Sequence, residues 1–277
     1  MSKHTGTEAT KLFYDQLGWK ERDGRAVDPY LFGVHEDGPI RIELHEVHLE
    51  RVRNALSRAG TNLSLLECGC GGNPEQSLLD LCSDYTGVDF SETGLEMAES
   101  KLSTAGVPHQ LKAADVCNLP FEDGRFDAAY CAHMIYHIAE TASQAAAFQE
   151  VMRVIKPGGT AVFIVVNPRP LLFPVRLLKR LIADTPFVGQ VADKLRPQPP
   201  LPYKPMPLRW MQQQLASWGN VEMMTYSLPT TAFNQRTSEY KGIGKQLWKA
   251  IRWLDLKYPK SSVYLGNYAQ ISVCKSK

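Results

Sequence analysis

The stretch Leu63–Phe90, LSLLECGCGGNPEQSLLDLCSDYTGVDF, constrains the chain more than any other. An apolar run (Leu63, Leu65, Leu66) ends at Glu67, a glycine-rich turn follows, and a second apolar run closes on Asp89. The pattern predicts a strand, a tight loop, about two turns of helix over Ser77–Cys82, and a second strand with an acid at its tip. Gly69 and Gly71 lack a Cβ, so the backbone there can turn sharply and lie close to a ligand. Asn73 is the expected helix cap, with Pro74 at the first helical position and Gln76 closing an Asn-x-x-Gln capping box. Asp89 is placed to accept hydrogen bonds from both hydroxyls of a ribose.

Two cofactor classes suit such a nucleoside-binding half. A dinucleotide fold needs a small residue at the third glycine position of G-x-G-x-x-G/A, where the helix packs against the strand. Pro74 stands there and breaks the pattern. The segment Glu67-Cys-Gly69-Cys-Gly71 instead resembles the first motif of class I S-adenosylmethionine-dependent methyltransferases. Further motifs follow in order: Asp89, Asp115, Asn118-Leu-Pro-Phe121 with Phe126-Asp127, and Arg153-Val-Ile-Lys-Pro157-Gly158-Gly159. The nearest overall likeness is to the small-molecule enzymes of the ubiquinone/menaquinone-biosynthesis type.

That resemblance implies an α/β fold, a doubly wound seven-stranded Rossmann-like sheet, with S-adenosyl-L-methionine as cofactor and no metal. Glu67 and the Gly69-Cys70-Gly71 backbone would hold the methionine end, and Asp89 the ribose. Phe90 would pack on the adenine, Asp115 would accept from its amino group, and the Val116 N–H would meet a ring nitrogen. Tyr14, in an F-Y-D-like segment, resembles a residue that folds over the cofactor, although plain aromatic packing with Trp19 and Tyr30 is the alternative. Phe90 is equally open to a core role.

The fourth core strand, Phe126–Cys131, runs into Ala132-His133-Met-Ile-Tyr136-His137. Ligands of doubly wound sheets sit beyond the carboxyl ends of the strands, which puts His133 and His137 near the chemistry. Either imidazole can serve as a general base, Tyr136 can bond the acceptor, and His133 can instead position the cofactor. His45 and His48, three apart on an expected helix from Ile40 to Ser57, lack a third metal ligand and read as a solvated or capping face. The six cysteines show no zinc-type spacing and read as buried thiols.

Within one methyltransferase domain over residues 1–277, residues 1–58 read as an N-terminal cap and 168–207 and 229–262 as insertions over the acceptor site. The first insertion is proline-rich and includes Leu171–Ile182, LLFPVRLLKRLI, suited to a lid or to peripheral membrane contact. Charge is split: 14 basic against 24 acidic residues up to Asn167, and 17 against 5 beyond it, net −10 and +12. The basic part suits solvent, an anionic acceptor, a membrane surface or RNA. With no apolar run of about 20 residues and no signal-peptide core, a cytoplasmic protein is expected.

A small-molecule acceptor is the leading expectation, methylated at O, N or C by in-line displacement, and no DNA partner is expected. An RNA methyltransferase is the alternative, but CAHMIYH stands where an Asn-Pro-Pro-Tyr-like motif would follow the fourth strand. A non-catalytic S-adenosylmethionine-binding module is the third reading.

Overall fold

A computed structural model describes residues 6–15, 20–22, 25–27, 39–170, 201–228 and 243–277. Helix α1 (Gly6–Phe13) precedes a short antiparallel hairpin of β1 (Lys20–Arg22) and β2 (Arg25–Val27). Then come α2 (Pro39–Leu56), β3 (Leu63–Cys68), β4 (Cys82–Asp89), α3 (Glu92–Ala105), β5 (His109–Ala113) and β6 (Phe126–Ala132). The chain continues through α4 (Thr141–Val154), β7 (Ile155–Val166), α5 (Leu208–Leu215), β8 (Gly219–Ser227), α6 (Ile243–Lys257) and β9 (Tyr268–Lys275).

Seven strands form one sheet in the order β5-β4-β3-β6-β7-β9-β8. Neighbours pair in parallel except β9, which is antiparallel to both β7 and β8. This is the doubly wound arrangement the sequence led us to expect. All six residues of β3 are buried, as befits a central strand covered on both faces. Alternate side chains divide between the two layers. Leu66 and Cys68 join Ala129, Cys131 and Phe163 in the core beneath α4 and α5, while Leu63 and Leu65 join Ala128, Tyr130 and Val162 beneath α2 and α3. Each such leucine contributes roughly 1.5–3 kcal/mol by leaving water.

From β3 the chain winds outward through β4 to β5, then returns to lay β6 on the other flank of β3. That reversal opens a crevice between the carboxyl ends of β3 and β6, where Cys68 pairs with Cys131. Ser91 caps α3, accepting the Gly94 N–H at 3.1 Å, and Gly106 closes it with φ +72°.

Several local expectations are corrected. The segment after the glycine loop is a six-residue 3₁₀ helix, Gln76–Leu81, and its cap is Glu75. The Asn73 side chain instead accepts from Lys101 Nζ at 2.9 Å, and only six residues lie between the Glu75 cap and the strand beginning at Cys82. The sequence reads a short strand from His109 ending on the acid Asp115, but β5 ends at Ala113 and Asp115 lies in the following turn. The sequence reads the last strand as Tyr264–Cys274, but it begins at Tyr268 because the Asn167 side chain holds the Tyr264 and Gly266 carbonyls in a turn. The sequence pattern over Glu8–Trp19 puts Leu12 and Phe13 on one apolar face, but on α1 Phe13 is buried and Leu12 exposed. His48 is buried, against the expectation of a solvated face. The expectations for Trp19, Tyr30 and Leu171–Ile182 lie outside the described residues.

Candidate cofactor and acceptor site

The glycine loop is a backbone device. Gly69 and Gly71 have φ of +75° and +51°, and a Cβ on Gly69 would stand 2.9 Å from Met134 Cβ across the crevice. The Gly69 and Cys70 N–H groups both donate to the Val88 carbonyl, at 2.8 and 3.3 Å. Asp89 fastens the loop from the tip of β4: one carboxylate oxygen accepts the Gly71 N–H and the other the Ser91 N–H, each at 2.9 Å. Each oxygen keeps a second lone pair for a ligand. Burial raises the Asp89 pKa, the Ser91 and Gly71 N–H groups oppose the rise, and the Asp15 carboxylate adds to it.

Glu67, buried at the end of β3, accepts from Tyr85 Oη at 2.8 Å and from the Glu75 N–H at 3.1 Å. It thereby ties down the far end of the loop. Burial outweighs these bonds and lifts its pKa from 4.5 to about 8. Cys70 is buried behind the loop, and burial pushes its thiol far above the usual range.

Along the neighbouring strands, Phe90 is half-buried directly after Asp89, and Asp115 is half-buried after β5. The Asp115 carboxylate accepts the Cys117 N–H at 2.8 Å. Val116 is buried, and among the described residues its N–H donates to no protein acceptor. Asp89, Phe90, Asp115 and Val116 thus come together at the carboxyl ends of β4 and β5.

The histidines after β6 behave differently from each other. His133 is a non-glycine residue at φ +58°, a conformation costing on the order of 1–3 kcal/mol, held by its N–H bond to the Ile164 carbonyl at 3.0 Å. Its exposed imidazole projects among three tyrosines, with Nδ1 3.2 Å from Tyr136 Oη and the rings of Tyr268 and Tyr226 at 5.0 and 5.9 Å. The His137 Nδ1–H instead donates to the Pro202 carbonyl at 2.8 Å. Burial lowers the His137 pKa, and that hydrogen bond opposes the shift. With the Lys204 N–H donating to the Tyr136 carbonyl at 2.7 Å, residues 201–207 are docked over the end of β6.

Tyr226 and Tyr268, which sequence reasoning did not single out, come from β8 and β9. No local motif marks them, because only the antiparallel insertion of β9 brings these strand ends beside β6. Behind Tyr226 sits His48, 4.5 Å away ring to ring, itself 3.5 Å from the buried carboxylate of Asp255. Arg51 ties this group together, donating to the Asp255 and Thr225 carbonyls at 2.9 and 2.7 Å.

Helix α1 crosses the mouth of the crevice. Thr10 Oγ1 donates to the His137 carbonyl at 3.3 Å, and Lys11 pairs with Glu92 of α3 at 3.7 Å. Tyr14 follows with its ring edge-on to Phe13 at 5.2 Å. The next residue, Asp15, has a buried carboxylate oxygen with no hydrogen-bond partner among the described residues. Sequence reasoning quoted the Phe-Tyr-Asp run but took only the tyrosine from it.

Three carboxyl groups (Asp15, Glu67, Asp89), one with an orphaned oxygen, around a loop that admits no side chain at Gly69 suit a ligand bearing positive charge and hydroxyl donors. S-adenosylmethionine has a sulfonium, an ammonium and a ribose, so the residues fit it. Residues 66–163 match a family model described as a methyltransferase domain. Over those residues the chain carries a methyltransferase domain, and S-adenosylmethionine is its cofactor.

Among curated proteins, it is 34% identical over 101 residues to the sterol 4-C-methyltransferase strm-1 of Caenorhabditis elegans, covering 35% of this chain and 29% of that one. It is 27% identical to the ubiquinone biosynthesis O-methyltransferase of Colwellia psychrerythraea over 59% of this chain and 68% of the relative. The match thus spans from under a third to about two thirds of these relatives' length. Among solved structures, the geranyl diphosphate C-methyltransferase of Streptomyces coelicolor A3(2), in complex with S-adenosyl-L-homocysteine, superimposes with a TM-score of 0.55. At 15% identity, over 99% of this chain and 100% of that one, this likeness speaks for the fold.

Proposed function

We propose that the protein methylates a hydroxyl group of a lipophilic small molecule, with His133 accepting the hydroxyl proton. The observation that carries this reading is the strained His133 backbone, which aims an exposed imidazole into the crevice mouth beside Tyr136. If the Nδ1–H is given to Tyr136 Oη, Nε2 becomes the nitrogen that takes a proton. A bound S-adenosylmethionine supplies an electrophilic methyl group already activated by the sulfonium charge. The protein's task is then alignment, which can supply about 7–11 kcal/mol of barrier lowering.

In this reading Asp89 accepts from the ribose, Glu67 and Asp15 face the charged methionine end, and Phe90, Asp115 and Val116 hold the adenine. Tyr14 closes over the cofactor as part of a cap spanning residues 1–58. The insertions 168–207 and 229–262 cover the acceptor, and the docking of residues 201–207 on Tyr136 and His137 supports this for the first. His137 positions that segment, since its Nδ1–H is already given to Pro202. An oxygen acceptor agrees with the ubiquinone-biosynthesis relatives, and a lipophilic one with the sterol relative.

The test is turnover of S-adenosylmethionine with prenylated phenols and sterols, read as S-adenosylhomocysteine formed and as product mass. His133→Gln is expected to lower kcat by about 10²–10⁴-fold, the usual worth of a general base, with S-adenosylhomocysteine affinity within threefold of wild type. Full turnover of that variant from pH 6 to 9 would remove His133 from proton transfer.

A further inference from the structure

We infer that the outer face of α6 is a docking surface for an anionic lipid bilayer. The helix divides sharply between two sides. Trp248 and Asp255 are buried, and Asp255 anchors the helix to Arg51 of α2. On the outer side Leu247, Trp253 and Leu256 are 48%, 54% and 45% exposed, and Tyr258, just past the helix, is 43% exposed. A tryptophan more than half exposed on a surface helix gives up burial that a purely structural helix would secure.

The charges that α6 itself turns outward are basic. Lys249 and Lys257 are exposed, the acid of α6, Asp255, is turned inward, and Lys260 just beyond the helix pairs with Glu222 at 3.2 Å. No acidic residue follows Asp255 through Lys277. Lys257 Nζ lies 4.9 Å from the Trp253 ring centre and 5.6 Å from that of Tyr258, so cation and aromatic groups form one cluster. Apolar side chains interleaved with lysines, and with Trp and Tyr among them, match the boundary between lipid tails and anionic headgroups.

An anionic macromolecule without an apolar layer would leave the Leu247, Trp253 and Leu256 surface unsatisfied, which favours a bilayer. At 15 residues α6 would lie along the surface, and no described helix is long and apolar enough to cross a membrane. The location gives the contact a use. On its inner side α6 reaches Tyr226 through Asp255 and His48, so the helix packs behind the tyrosines at the acceptor end of the crevice. A bilayer held there would be the source from which a lipophilic acceptor enters.

The experiment is co-sedimentation of the purified full chain with vesicles of phosphatidylcholine alone or mixed with phosphatidylglycerol. It needs neither cofactor nor acceptor, so its failure is separable from failure of the methyl-transfer reading. Binding is expected to the mixed vesicles at least tenfold more tightly than to the neutral ones, weakening as salt rises. Trp253→Ser and, separately, the Lys249→Gln/Lys257→Gln pair are each expected to weaken it roughly tenfold or more, with S-adenosylhomocysteine affinity and melting temperature retained. A blue shift of tryptophan emission on vesicle addition should vanish in Trp253→Phe. Equal binding to both vesicle types, unaltered binding by the variants, or binding of an RNA homopolymer with no binding to vesicles would each overturn the inference.

Discussion

The two halves of the crevice are held by contacts of different range. At β3 and β4 the groups at the crevice are backbone N–H groups and short carboxyl side chains fastened to one another locally, as in the Gly71–Asp89 bond across 18 positions. At β6, β8 and β9 they are side chains from distant segments, backed by the His48–Asp255 contact across 207 positions. The first half can form around one strand-loop-strand unit. The second exists only once the whole sheet is closed.

The strongest challenge to that separation is Asp255→Ala. It leaves Arg51 half-buried without its carboxylate, and a loss of about 3–5 kcal/mol is expected in urea unfolding. Below the melting transition, S-adenosylhomocysteine affinity should move less than threefold; a tenfold loss would mean the halves are coupled.

Asp89→Ala addresses the other side. Two charge-assisted bonds to a ribose are worth about 3 kcal/mol or more together, so calorimetric affinity for S-adenosylmethionine should fall about 100-fold. Unchanged affinity would remove Asp89 from the ribose site.

Gly69→Ala places a Cβ at positive φ and against Met134, where about 1–2 kcal/mol of strain is expected, visible as a lower melting temperature and weaker cofactor binding. Because Met134 follows β6, this variant also shows how far a disturbance in the loop spreads to the acceptor half. Met134→Ala in the same background should recover part of the loss, and no recovery would mean the backbone angle alone is responsible.

The last test is a pH slope, which is small over any one pH unit. Glu67 binds its proton more tightly in the folded chain, with a pKa of about 8 against 4.5 unperturbed. The folded state then holds more protons than the unfolded state across that interval, and stability of the cofactor-free protein falls as pH rises through it, by at most about 1.4 kcal/mol per pH unit. Glu67→Gln should flatten the slope measured by thermal melting. A slope that persists would assign it to another group.

Much of the cofactor half was legible because its chemistry is local. Glycines that must adopt positive φ, a carboxylate at a strand end and the spacing between them are properties of consecutive residues. Where local reasoning went astray, at Asn73, a partner on another element had claimed the side chain: Lys101 of α3 takes the amide oxygen. His48 misled in the same way, since three-residue spacing on a helix does not say which neighbour will bury it. Asp15 was visible beside Tyr14 but gained meaning only when α1 was found pinned to His137 and Glu92.

By itself, then, the order of residues determined the doubly wound sheet, the glycine loop and the kind of ligand it admits, because strand periodicity and turn chemistry act over a few positions. Tertiary structure alone decided which aromatic side chains surround His133, that His137 is spent on Pro202, and that α6 turns its acid inward and its tryptophan and lysines outward. Those outcomes depend on which strands become neighbours, and on burial that no single segment can arrange for itself.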